Sequence, residues 1–358
     1  MSSSQSVVSS EPSTAGTGSS SNRKWNTPPS FVSEAQRTLL YFRAVDADSP
    51  EPVLGDIYAK QLINKVDLGV VDTMGRDLRY VKFWCLRSKR VDTWCQQFMD
   101  EHAPPHGHGE CTVINLSCGL DTRVQRISPP AHVHWIDIDH GDVIAFRTRV
   151  YPPPTGDYRM MAIDISEPDF LWVKTLPNDQ PTLVIAESNM YYFQPDVSRG
   201  IVFHVADHFP RGQLCFDVLG TLTARLINMK MATVQKKTGM KILWAIDDPH
   251  RVLEIHPKLR FLEEMRYSND MPPWFGELKT KFLRMLPAYR NLGRVILLGL
   301  DGQPVDKEGG DGSVGTSAAS TSTQDPDSYF FKPLPALPDS EFSGSRPSTS
   351  YSIMPPRR

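Results

Sequence analysis

The stretch INLSCGLDTRVQRI, residues 114–127, sets an apolar run directly against a small-residue turn, an acid and two arginines. Ile114, Asn115 and Leu116 read as the end of a strand, and Ser117, Cys118 and Gly119 as a bend. Further along, other apolar runs end in Asp137 and Asp139, in Asp164 and in Glu187. A carboxylate at such a position can accept two hydrogen bonds at once from vicinal ribose hydroxyls. Glycine in the preceding turn lets backbone approach a ligand closely. A single strand-end aspartate is commonly a helix cap or a turn former. Glu187, in VIAES, follows three apolar residues, where an acid is costly to bury without a partner. Four successive runs, each ending in an acid or a glycine turn, together point to a nucleoside-bearing cofactor.

The dinucleotide fingerprint GxGxxG is absent, because the turn reads S-C-G-L-D-T, and there is no GxxxxGK[ST] phosphate loop. A cofactor with ribose and adenine but no phosphates fits better, and S-adenosylmethionine is of this kind. Its amino-acid end is a zwitterion that calls for a cation and for acceptors. Arg43 in YFRAVD and Arg87 in CLRSKRVD are the candidate cations.

These residues need a scaffold that brings strand ends together. Strand-type runs are CTVINL (111–116), HVHWIDID (132–139), RMMAID (159–164), TLVIAES (182–188), QLCFDVLG (213–220) and RVILLGL (294–300), with KILWAI (241–246) as a further candidate. Several are almost continuously apolar, as strands covered on both faces are. Amphipathic helical patterns fall at 141–150, 195–209 and 249–265, and Pro195 and Pro249 suit helix starts. Residues 31–105 read as mostly helical and are expected to cover one edge or the ligand mouth. The alternation predicts an α/β fold: an open, mostly parallel sheet with helices on both faces. Ligands of such sheets sit outside the carboxyl ends of the strands.

Composition narrows the rest. Hydrophobic residues make up 40% and charged residues 22% of 358, and the formal net charge is -2. That balance argues against a nucleic-acid surface and against a polybasic membrane patch. No apolar run approaches the roughly 20 residues of a membrane span, and no secretory leader is visible. Five scattered cysteines without a CxxC fit a reducing compartment, so a cytoplasmic location is expected. The serine-rich residues 1–29 and the Gly/Ser/Pro-rich 302–358, with its PLPALP, are expected to be disordered tails flanking one domain at 30–301. HGH at 106–108 reads as a flexible turn, and His204 and His208 as a solvated helix face. No metal site is expected.

With these motifs in order, the chain is identified as a member of the leucine carboxyl methyltransferase family. VINLSCGLDTRVQRI, VHWIDIDHGDVIAFR, LVIAESNMYYF and FPRGQLCFDVLG carry the resemblance, with RAVDADSPEPVLGDIYA and LRSKRVD upstream. It covers about residues 38 to 300 and lies nearest the polyketide carboxyl methyltransferase branch. It implies a class I, Rossmann-like fold with a seven-stranded sheet and a helical cap at 30–105. It also implies site roles. Arg87 matches the arginine that binds the cofactor carboxylate, and Ser117 and Gly119 the glycine-rich turn. Asp139, or Asp137, matches the ribose acid, Asp164 and Ile165 the adenine-reading pair, and Glu187 the acid near the methionine moiety. Arg43 matches a basic residue closing over the cofactor, and Tyr192 an acceptor-pocket tyrosine. Ser117 and Ser188 stand where the family has glycine, a substitution without consequence unless those positions need a positive φ.

Methyl transfer needs alignment of donor and acceptor and exclusion of water. A carboxylate acceptor is already ionised at neutral pH and needs no general base, whereas a phenol benefits from one. No His-Asp pair stands out in the sequence. The reading is therefore an O-methyltransferase for a carboxylate, or else a phenol, of a small polyketide-type molecule. The alternatives are methylation of a protein C-terminal leucine and a catalytically silent binder of the same fold.

Overall fold

The structure is a computed structural model that describes residues 34–66, 78–105, 109–152, 154–230, 241–270, 279, 281 and 283–302. The tails expected at 1–29 and beyond 302, with the PLPALP run, and the HGH turn lie outside the described residues.

Seven strands form one sheet: β1 (Cys111–Leu116), β2 (Val133–Asp139), β3 (Asp157–Ala162), β4 (Thr182–Ala186), β5 (Gly212–Leu219), β6 (Arg260–Arg266) and β7 (Gly293–Gly299). Their spatial order is β3-β2-β1-β4-β5-β7-β6. The first five are parallel to their neighbours, and β7 runs antiparallel between β5 and β6. The seven-stranded α/β sheet expected from the sequence is present.

The strands bury both faces because each side of the sheet carries its own helical layer. Ile114, Leu116, Ile136, Ile138, Val184, Phe216 and Ile296 point to one side. There they meet Ile201, Val205 and Phe209, the buried stripe and end of α6 (Pro195–His208). Val113, Val133, Trp135, Leu183, Cys215 and Val295 point to the other side. Their partner is α3 (Leu78–His102), through Val91, Trp94, Phe98 and Met99. The split follows residue parity, as the period of two in a strand requires. His204 and His208, read as solvated, are packed: His204 stacks on Phe170 at 4.8 Å, and His208 Nε2 lies 3.0 Å from the Leu176 carbonyl.

The N-terminal segment is helical as expected, but its parts do different jobs. α3 is a layer of the core and not a cap. α1 (Glu34–Ala47) and α2 (Ile57–Ile63) lie over the ligand end, where Leu40, Ala59 and Leu62 pack on Leu120, Val143 and Phe146.

Two further expectations are corrected. Residues 249–265 are not one helix: a 3-10 turn at Pro249–Ile255 is followed by β6. RFLEEMR mixes apolar and charged side chains because β6 is an edge strand with a half-exposed face. KILWAI is extended but joins no ladder; its amides at Leu243 and Trp244 donate instead to the Tyr191 carbonyl.

α4 (Arg123–Ile127) and α5 (Gly141–Val150) make the first two crossovers. From α5, the buried Arg147 donates to the carbonyls of Gly119 and Asp121, both at 2.8 Å, and to the Asp137 carboxylate. One guanidinium thus ties α5 to the turn after β1. Arg147→Ala strands the Asp137 carboxylate in the core and is expected to cost about 3–5 kcal/mol. Urea denaturation of the purified variant measures this directly.

Candidate active site

The parallel strands on either side of β1 are β2 and β4, reached by crossovers in opposite directions. Such a reversal leaves a crevice at the carboxyl ends of the strands. A cavity of about 220 Å³ lies there.

Its floor is the turn after β1. Gly119 has φ 48° and donates its N–H to Asp139 Oδ2 at 2.7 Å. A Cβ on Gly119 would lie 2.5 Å from Gln36 Nε2 of α1, the end of a side chain that can swing away, so it is the positive φ that favours glycine here. Asp139, the last residue of β2, lines the cavity and also accepts the His140 N–H at 2.8 Å. Burial pushes its carboxyl above the ordinary aspartate value, and these two backbone donors only partly oppose the rise. A carboxylate in that state still has lone pairs for hydroxyl donors.

The aspartate two residues earlier is placed differently. Asp137 accepts from Arg147, from Tyr158 Oη at 2.8 Å and from Trp135 Nε1 at 2.9 Å, and it does not line the cavity. Side chains two apart in a strand share a face, but Asp137 sits one pleat deeper, inside the layer.

The wall opposite is the segment after β4. Glu187, Ser188 and Asn189 line the cavity, as do Tyr192 and Phe193, whereas Tyr191 turns into the core beneath α3. Asn189 donates from Nδ2 to the Leu116 carbonyl at 2.8 Å, and its buried Oδ1 has no partner among the described residues. Burial raises the Tyr192 hydroxyl above its ordinary pKa.

Beneath this wall lies a network of buried charges. Glu187 is held by Arg87 Nη2 at 2.8 Å, by Arg123 Nη2 and by Ser88 Oγ at 2.8 Å. Asp121 is held by Arg43 at 3.0 Å, Arg123 at 2.6 Å and Arg126 at 3.1 Å. Burial alone would push both carboxyls up. The surrounding guanidinium groups outweigh it, Arg87 and Arg123 foremost at Glu187 and Arg123 foremost at Asp121, and both acids lie well below their usual range. Asp217 on β5 has less cationic support, sharing the fully buried Arg87 with Glu187 at 2.8 Å. Its desolvation prevails, and its carboxyl is pushed up to about 6.

The expected cations therefore separate. Arg87 is paired with Glu187 and Asp217 and lies over the Trp84 face at 4.5 Å; its Nε, like that of Arg43, has no hydrogen-bond partner among the described residues, but Arg87 does not line the cavity. Arg43 does line it, and its buried Nε has no hydrogen-bond partner among the described residues. Asp164 caps the next turn by accepting from Ser166 N at 2.9 Å and Ser166 Oγ at 2.6 Å. Ile165 packs in the core beside it, and neither residue lines the cavity. His140, which lines it, has Nε2 4.0 Å from Asp164 Oδ1. The sequence reading missed this pair because the two residues lie on different crossovers. It also missed Gln36, Leu39 and Asn189, which carried no motif of their own.

Ser117 and Ser188, where glycine was the family expectation, have φ 48° and 62°. Both serines therefore occupy the left-handed region, which disfavours any Cβ. Ser188 is anchored there, accepting from Arg87 Nη1 through Oγ and donating its N–H to Asp217 Oδ1 at 3.3 Å.

The family model for leucine carboxyl methyltransferase matches residues 38–206. The tetracenomycin polyketide synthesis O-methyltransferase TcmP of Streptomyces glaucescens is 34% identical over 65% of this chain and 82% of its own length. The S-adenosyl-L-methionine-dependent methyltransferase dpfgK of Gibberella zeae is 31% identical over 73% and 92%. Magnesium protoporphyrin IX methyltransferase from Synechocystis, solved with S-adenosylhomocysteine, aligns at 11% identity with a TM-score of 0.38, over 63% of this chain and 89% of that one. The chain belongs to the leucine carboxyl methyltransferase family, and it is an enzyme.

Two outcomes follow. Ser117→Gly removes the left-handed strain without removing any hydrogen bond among the described residues, and is expected to stabilise the fold by about 1 kcal/mol in denaturant titration. Glu187 and Asp121 are held below their unfolded values, so their stabilisation is present above about pH 4 and lost as the pH falls further. Asp217 has the opposite sign: its contribution is present below about pH 4 and lost as the pH rises through about 6. Urea midpoints followed from about pH 4 down to about pH 2 should decline less steeply in Glu187→Gln than in the wild type.

Proposed function

We propose that this protein transfers the methyl group of S-adenosylmethionine to a carboxylate of a small polyketide-type metabolite. The observation that carries the reading is the Asp139 carboxylate at the end of β2, facing the cavity beside the Gly119 turn with Arg43 on the same lining.

The donor set fits this cofactor. Asp139 offers acceptors to a ribose diol. Arg43, with its orphan Nε, is placed to meet a carboxylate, and the orphan Oδ1 of Asn189 to meet an ammonium group. Asp137 and Arg87 then act behind the site: Asp137 holds Arg147 under the turn, and Arg87 fixes Glu187 and Ser188. Asp164 acts from the same second rank, next to His140.

When bound, the cofactor supplies an electrophilic methyl on sulfur, which passes to the acceptor oxygen as the sulfur becomes a neutral thioether. The chain's own part is positional. Asp139 and Arg43 hold the donor, Gly119, itself outside the cavity lining, holds Asp139 through its N–H, Tyr192 and Phe193 border the acceptor side, and α1 shields the reacting centre from water. A carboxylate acceptor is ionised without help, which matches a site whose tyrosine hydroxyl is pushed up and not down. The polyketide relative supports the substrate class.

The test is transfer of a radiolabelled methyl group to a panel of aromatic polyketide acids, phenols and a peptide ending in leucine. An ester releases volatile label in base, whereas an aryl ether retains it. Ester on the aromatic acids supports the reading; ester on the peptide alone, or ether alone, replaces it. Binding of S-adenosylhomocysteine without any transfer leaves the silent form of the fold. Asp139→Ala is expected to weaken S-adenosylhomocysteine by about tenfold to a hundredfold in calorimetry, the loss of one or two charge-assisted hydrogen bonds. Arg43→Gln should weaken it with the fold intact, because Asp121 keeps Arg123 and Arg126.

A further inference from the structure

A second cavity of about 270 Å³ lies on the same carboxyl edge of the sheet, across β5 from the first. Its position follows from the register: Arg294, near the start of the antiparallel β7, stands opposite Val218 of β5 and Arg266 at the end of β6. The extended segment from Leu243 to Asp248 links the two places. Its Leu243 and Trp244 amides hold the Tyr191 carbonyl, the Ile246 amide holds the Leu219 carbonyl, and Asp247 and Asp248 line the second cavity.

Three arginines from three elements converge there. Arg294 is 4% exposed. It donates to Glu264 Oε2 at 3.0 Å, to Asn291 Oδ1 at 3.1 Å and to the Asp247 carbonyl at 3.3 Å, and its buried Nε has no partner among the described residues. Arg266 is held by the other oxygen of the same Glu264. Arg290, exposed at the rim, has no side-chain partner among the described residues. The two acids of the lining are turned to backbone and hydroxyl donors. Asp247 accepts Thr221 N at 2.9 Å and Thr221 Oγ1 at 2.6 Å, and Asp248 accepts His250 N at 3.0 Å.

We propose that this cavity is a binding site for a small organic carboxylate, held by the guanidinium of Arg290 and by the unpartnered Nε of Arg294. Guanidinium groups match a planar carboxylate by paired N–H donors. With Glu264 shared between two arginines, and Asp247 and Asp248 alongside, the three positive charges are balanced by three negative ones. A carboxylate brings one negative charge up to Asp247 and Asp248, whereas a doubly charged phosphate would meet about twice the repulsion from them. The site goes beyond the methyl-transfer reading and does not depend on what occupies the first cavity.

The experiment is a ligand-observed NMR titration of salicylate, and in parallel of inorganic phosphate, into the full chain with and without S-adenosylhomocysteine. Salicylate is expected to bind in both states. Arg290→Gln, a substitution at an exposed side chain, should weaken it by about tenfold, the worth of a charge-assisted pair, while Asp248→Asn should tighten it. Absence of salicylate binding, or equal binding to Arg290→Gln, overturns the site. Phosphate binding as tightly as salicylate overturns the choice of carboxylate. Failure of S-adenosylhomocysteine to bind, with Arg290-dependent salicylate binding retained, would count against the methyl-transfer reading and leave this one standing.

Discussion

Everything at the ligand end of this protein is held by charges that have been taken out of water. Arg43 on α1, Arg87 on α3, and Arg123 and Arg126 on α4 meet Asp92 on α3, Asp121 after β1, Glu187 after β4 and Asp217 on β5. An isolated buried ion would cost several kcal/mol, so each of these groups is tolerable only while it keeps a partner of opposite charge. These pairs tie the three helices to the ends of the strands, where the turn after β1, the end of β2 and the Glu187 segment surround one cavity.

This constraint bears on how the two serines are accommodated. Ser117 and Ser188 adopt a conformation glycine would adopt more easily. Ser188 is fixed by its bonds to Arg87 and Asp217, both members of the network. Ser117 stays because its neighbours Cys118 and Gly119 are locked, Cys118 by donation of its N–H to the Ile138 carbonyl and Gly119 by Asp139. A surrounding structure that over-determines a backbone can hold it off its preferred conformation. The departure from glycine thus leaves both positions in the left-handed conformation that glycine would adopt.

Much of the frame was legible in the chain. The runs at 111–116, 132–139, 182–188, 213–220 and 294–300 lie within a residue or two of real strands, because a buried parallel sheet demands continuous apolar β-type sequence. β6 escaped because an edge strand with RFLEEMR carries the charge pattern of an amphipathic helix over a short window, and only the pairing with β7 separates the two. The site was legible in part. Asp139, Glu187, Gly119 and Arg43 announce themselves as polar or flexible residues at the ends of apolar runs. Gln36 and Asn189 do not, since ordinary polar residues on a helix and in a loop carry no spacing signal.

By itself, the sequence determined the class of fold, the strand ends at which chemistry can occur and the family, since these depend on local periodicity and on ordered motifs. It could not decide between Asp137 and Asp139, or between Arg87 and Arg43. Each pair is alike in type and close to a strand end or helix, and what separates the members is depth. Asp137 and Arg87 are enclosed by partners drawn from elements distant in the chain, Arg147 and Tyr158 for one, Glu187 and Asp217 for the other. Asp139 and Arg43 reach the cavity wall instead, Arg43 while paired with Asp121 at 3.0 Å. Only tertiary packing sets which of two similar charges is enclosed in the core and which borders the cavity.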